Sequence, residues 1–154
     1  MSSRNVRTRQ PGRFGAALTA LLLASLSRAD APPGHYTIAA DVVTDTKTGL
    51  VWQRTVSPQA QNFLDAQTYC ENLQLDGQSD WRAPTLIELQ TIVDESRTDP
   101  AIDTTAFSDT PSDYLWTSSA LASDQGQGWA VRFSDGYTWY HLFNNPVFFV
   151  RCVR

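Results

Sequence analysis

Only two cysteines occur in this chain of 154 residues, Cys70 and Cys152, and they lie 82 positions apart behind a segment with the marks of an export signal. An even pair in an oxidising compartment reads as one disulfide, with two unpaired buried thiols as the competing reading. No other feature constrains the fold as much. Cys70 falls in a predicted amphipathic helix and Cys152 in a predicted final strand, so a bridge would tie the first helix of a domain to its end. Closing a loop of that length is worth about 4–5 kcal/mol in the chain-entropy account.

Residues 1–29 read as a secretory signal peptide. Arg4, Arg7, Arg9 and Arg13 form a basic start without an acid, and Phe14 to about Leu26 is apolar but short for a bilayer span. Ser27-Arg28-Ala29 places small residues at −3 and −1, so cleavage after Ala29 is expected; an uncleaved anchor is the alternative. The predicted mature chain has no further apolar run of membrane-spanning length, so membrane insertion is not expected. An exported protein is predicted, periplasmic, at the cell surface or extracellular. Removing the signal takes five of the 12 basic residues, leaving 7 against 16 acidic ones and a net charge of about −9. Such a surface argues against nucleic acid, anionic glycans and anionic lipid, and suits neutral or cationic partners.

Residues 30–35, with Pro32-Pro33, read as a short leader, His35 being placed in a mobile segment, and residues 36–154 as one domain. Tyr36–Val43 is β-prone, Asp45–Gly49 is turn material, and Leu50–Arg54 reads as a returning strand. In the segment from Asn62 to Leu73, Phe63, Ala66, Cys70 and Leu73 fall at 3-4-3 spacing, the stripe of an amphipathic helix. Thr85-Leu86-Ile87-Glu88 has the form of a capping box opening a second helix that runs to about Val93. Asp94–Asp113, rich in Asp, Thr, Ser and Pro, reads as a long irregular loop. Tyr114–Ser118, Gly128–Phe133, Tyr137–Leu142 and Phe148–Val153 read as strands, with Ser134-Asp135-Gly136 as a hairpin turn. The order predicts an α+β fold with a mainly antiparallel sheet, two helices and long irregular loops.

Several blocks of this sequence resemble one family. They are Thr44–Gln53 (TDTKTGLVWQ), Ala66–Cys70 (AQTYC), Asp80–Thr85 (DWRAPT) followed by Glu88-Leu89, Trp116–Ser119 (WTSS), Trp129–Val131 (WAV) and Val150–Val153 (VRCV). In this order they are similar to the bacterial DUF1566 family, also called the Lcl C-terminal domain family. The resemblance implies a variant of the C-type lectin-like fold, in which a cysteine of the first helix commonly pairs with one of the last strand. The adhesin that gives the family its name carries a collagen-like stalk and binds sulfated polysaccharide. This chain has no Gly-X-Y repeat and the wrong charge for a sulfated polymer, so that behaviour is not carried over. Arg132, Arg151 and Arg154 are the residues that could still gather a local basic cluster.

Catalysis is not expected. Ser118, Ser119, His35 and His141 supply the residue types of a hydrolase, but there is no Gly-x-Ser-x-Gly elbow and nothing sets a base beside a nucleophile. The formylglycine-generating enzymes share a C-type lectin-like core and use cysteine chemistry; here a disulfide leaves no thiol for it. No pair among the acids is distinguished for glycoside cleavage. Trp81 is expected in the core, with Arg82 pairing a carboxylate beneath the loops, and Trp52, Trp116 and Trp129 are also expected in the core. Asp99, Asp103, Asp109 and Asp113 are the residues that calcium could use, but they match no EF-hand or Glu-Pro-Asn lectin signature and read as a solvated acidic loop. No metal or cofactor is expected.

The segment Tyr137–Pro146 is the best ligand candidate. Tyr137, Trp139, Tyr140, His141, Asn144 and Asn145 combine aromatic faces, which stack on sugars, with amides that both donate and accept. In an alternating strand Tyr137, Trp139 and His141 face one way and Thr138, Tyr140 and Leu142 the other, and one of those faces is expected to be core. The reading is a secreted, non-catalytic binding module for a neutral glycan or a cell-surface protein. Its alternatives are a structural or assembly domain and, behind that, a calcium-dependent lectin or an enzyme.

Overall fold

A computed structural model describes residues 34–144 and 147–154. The predicted signal peptide, most of the predicted leader, Asn145 and Pro146 lie outside the described residues. Three short strands open the domain: β1 (Tyr36–Ile38), β2 (Val42–Asp45) and β3 (Val51–Gln53), paired antiparallel in that order. Tyr36–Val43, read as one strand, is therefore two. The chain reverses at Ala39-Ala40-Asp41, where the Ala39 amide donates to the Val42 carbonyl at 2.9 Å. His35 is tied to the fold rather than loose: its Nε2 lies 3.2 Å from the buried Asp45 carboxylate, and its ring stacks on Tyr36.

Helix α1 (Phe63–Glu71) starts at Asn62, whose side chain accepts from the Asp65 amide. The predicted stripe is the buried face, with Phe63, Ala66 and Cys70 out of water and Leu73 packed beside them. Helix α2 (Leu86–Gln90) carries the predicted capping box in full, with Thr85 and Glu88 bonding each other's backbone amides, and ends three residues before Val93. Its Glu88 also takes a two-pronged bond from Arg82 at 2.7 and 2.8 Å. That pair sits at the surface, not beneath the loops. Trp81 alone of the two fills the core.

The second sheet contains β4 (Tyr114–Leu121), β5 (Asp124–Arg132) and β6 (Thr138–Leu142), antiparallel in that order. At β4 and β5 both faces are covered, because successive residues serve two separate cores. Trp116 and its partner Ala130 join Phe63, Ala66 and Cys70 on the α1 side. Leu115 and its partner Val131 join Leu89, Ile92 and Phe133 on the α2 side. Gly128 permits the close approach of α1: a Cβ there would fall 2.2 Å from the Phe63 ring. The 94–113 stretch is irregular, as predicted, yet it buries Ile102, Ala106 and Phe107 in the second core.

Phe148–Val153 does not form the predicted strand. Its backbone bonds are shared among β3, Gln61, Arg82 and β4, so it makes isolated bridges that join the two sheets. Cys152 in this segment is bonded to Cys70 of α1, with Cα atoms 5.5 Å apart. The disulfide thus fastens the first helix to the seam between the sheets. Arg151, next to it, is fully buried. Its Nη1 donates to the Gln53 and Arg54 carbonyls, its Nη2 to the Thr110 hydroxyl at 2.8 Å and the Asp109 carboxylate at 3.2 Å, and its guanidinium lies over Phe107. Burial pulls that guanidinium down to about 10, against the opposing pull of Asp109. Among the described residues no helix is long and apolar enough to cross a membrane.

Candidate functional site

Strand β6 is the outer strand of the second sheet, and this position creates the site. The Arg132 amide donates to the Tyr137 carbonyl and the Phe143 amide to the Gly126 carbonyl. With the register Ala130↔Trp139 and Gly128↔His141, the odd-numbered residues bond to β5. The backbone groups of Thr138, Tyr140 and Leu142 therefore point to the open side, where no described residue pairs with them. Since β6 is an edge, neither of its faces is core along its whole length, and His141 alone turns inward from it. Tyr137 is 47% exposed, Trp139 43% and Leu142 60%. The expectation that one face would be core fails for that reason, because alternation reveals faces but not edges.

Three of the candidate residues come together as a stack. The Tyr137 and Trp139 rings lie 6.0 Å apart at 17°, and the Trp139 and Tyr140 rings 4.9 Å apart at 14°. Neighbours in a strand point to opposite faces. The Trp139 and Tyr140 rings must therefore fold around the open edge to meet. Centroid spacings this wide for near-parallel rings mean that they are offset, leaving part of each face uncovered. Arg132 covers one end, 5.3 Å above Tyr137, while its own charge is held by Asp135. Trp129 closes the other end, edge-on to Tyr140 at 5.6 Å. Expected in the core, Trp129 is instead half-buried, because its neighbour across the sheet is this edge strand.

His141 is not part of the stack. It turns inward, edge-on to Tyr114 at 4.7 Å and Phe148 at 4.9 Å, with Trp116 behind. Its Nε2 is out of water and has no hydrogen-bond partner among the described residues. Burial pushes its imidazole below the usual histidine range, against a smaller upward pull from Asp113. Asn144 is exposed just past the end of β6.

The other sequence candidates are dispersed. The Ser118 hydroxyl donates to the Pro84 carbonyl, and the Ser119 hydroxyl accepts from the Leu86 amide. His35 sits on the first sheet with Asp45. Asp103 and Asp113 accept from the Thr105 and Tyr114 amides, and Asp109 from the Val56 amide. Among the described residues no three His, Cys, Asp or Glu side chains gather where they could hold a metal ion. The arginines do not cluster either: Arg132 pairs with Asp135, Arg154 with Asp80, and Arg151 is buried.

An α+β domain of two antiparallel sheets, stapled by one disulfide and carrying an aromatic outer strand, is the class of protein defined here. Residues 41–154 match the Lcl C-terminal domain family, and the chain belongs to it. Strand β1 precedes the matched residues. Among curated proteins none matches this chain.

Proposed function

We infer that this is an exported, non-catalytic binding module with a C-type lectin-like fold, and that the ligand docks on the outer strand β6. The observation that carries this reading is the offset stack of Tyr137, Trp139 and Tyr140 at an open sheet edge. Exposed aromatic surface of this kind marks an interaction site on a small domain. Partly uncovered ring faces suit the C–H faces of a sugar, and the exposed Asn144 amide, just past the end of the same strand, suits the hydroxyls of a longer ligand. The excess of acid over base favours a neutral glycan over a sulfated one.

An assembly domain would use the same edge by accepting a strand from another protein. The outward backbone groups of Thr138, Tyr140 and Leu142 favour that reading. The Trp139–Tyr140 stack joins side chains from opposite faces of the strand, however, and an incoming strand that pairs along this edge must displace it. Stacking of a ligand on the rings requires no such displacement. A neutral-glycan array probed with the exported protein and with Tyr137→Ala tests the proposal. Binding that falls about tenfold or more in the variant is expected; absence of any neutral-glycan binding overturns the reading.

A further inference from the structure

We propose a second binding site, for a neutral saccharide, in an open groove of about 430 Å³ along the outer side of α1. The groove is separate from the β6 ring stack, none of whose residues lines it. Its volume falls in the range of small-molecule sites, and four of its polar side chains, those of Asp65, Thr68, Tyr69 and Asn72, are held by hydrogen bonds within the fold.

Tyr69 provides the fixed donor. The Cys152 amide donates to Gln53 Oε1, and Gln53 Nε2 donates to the Tyr69 hydroxyl at 2.9 Å. The phenol oxygen is thus already an acceptor within the protein, and its O–H is left to donate outward. Gln53 is itself buried, which fixes the direction of the relay. Acceptors lie along the helix beside it. Asn72 spends its Nδ2 on the Thr68 carbonyl, leaving Oδ1 unused. Thr68 donates its hydroxyl proton to the Leu64 carbonyl, leaving its lone pairs. Asp65 uses one carboxylate oxygen on the Asn62 amide group. Gln61 and Gln74 border the groove with side-chain amides that bond no described residue, and both can donate or accept.

A set of acceptors with one fixed donor and two adaptable amides matches a ligand that carries several hydroxyls and no charge. A phosphate or sulfate ester would meet Asp65 without a facing cation, since among the described residues no Lys or Arg lines the groove. A hydrophobic peptide would leave these polar groups unpaired.

The test is an NMR titration of the exported, oxidised protein with maltotriose and with N-acetylchitotriose, repeated on Trp139→Ala and on the double variant Gln61→Ala/Gln74→Ala. The two glutamine side chains bond no described residue, and the backbone bonds of Gln61 to Phe148 and to the Trp116 indole survive truncation to Ala, so the double variant is expected to melt as wild type does. Backbone shifts centred on Thr68–Gln74 for at least one sugar, retained in Trp139→Ala and weakened about tenfold in the double variant, support the proposal. Shifts confined to β6, or equal affinity in the double variant, overturn it while leaving the β6 reading in place. No shift with either sugar also overturns it.

Discussion

Replacing Arg151 by Met removes one of the two charged side chains that are buried completely among the described residues, the other being Asp45. Met keeps the aliphatic contact with Phe107 but supplies no donor. The Gln53 carbonyl and the Thr110 hydroxyl lose the donor that reaches them, in surroundings where water does not. Each buried polar group left unpaired costs about 1–3 kcal/mol. Asp109 behaves differently, because its side chain is 37% exposed and water can solvate it once the arginine is gone. Arg151→Met is therefore expected to lower unfolding stability by about 2–4 kcal/mol, and Asp109→Asn by about 1 kcal/mol or less. Urea denaturation of both variants, with the disulfide intact, measures the contrast. Equal losses in the two variants would refute the reasoning and make the ion pair the main contribution. A stable Arg151→Met protein would show that the carbonyls find other partners.

Three further outcomes are expected. Glu88 is held down to about 2 chiefly by Arg82, so its contribution is complete above the unfolded carboxylate range near 4.5 and is lost as pH falls toward 2; with Arg82 half-exposed it amounts to about 1 kcal/mol. Acid unfolding of Glu88→Gln should show a correspondingly shallower decline between pH 4.5 and 2, and an unchanged profile contradicts the assignment. Replacing Cys70 and Cys152 by Ser should lower stability by about 2–5 kcal/mol while leaving ligand affinity unchanged at temperatures well below the new melting point; affinity lost from a folded double variant would give the cysteines another role. Heparin should not retain the protein at physiological salt, because Arg132 and Arg154 are neutralised by Asp135 and Asp80 and Arg151 is buried; retention on the column contradicts this.

Local patterns in the sequence carried the local structure. The 3-4-3 spacing of Phe63, Ala66, Cys70 and Leu73 predicted the buried face of α1, and Thr85-x-x-Glu88 predicted the cap of α2. The pairing of Cys70 with Cys152 followed from there being only two cysteines and from the family resemblance. Features that depend on which strand is outermost were not legible. Period-two alternation assigned β6 two faces but could not show that β5 is its one strand neighbour among the described residues, and Trp129 and His141 were misplaced in consequence: one was expected in the core and is half-exposed, the other was grouped with the rings and faces inward. The Phe148–Val153 run had the composition of a strand, but its backbone is shared among too many partners to make one. Arg151 stands in the apolar run Val147–Val153, a signal of burial, yet the carbonyls that receive it belong to residues nearly 100 positions away.

Trp139→Ala tests the central claim most directly, by a thermal melt and a binding isotherm against the strongest neutral-glycan ligand. Trp139 is 43% exposed and stacks on two rings that are themselves at the surface. The melt is expected to change little, and the affinity to fall by about 1–3 kcal/mol, as for an interface aromatic. A loss of roughly 3–5 kcal/mol in stability, the cost of truncating a core tryptophan, with affinity unchanged would return the ring to the core and contradict the account.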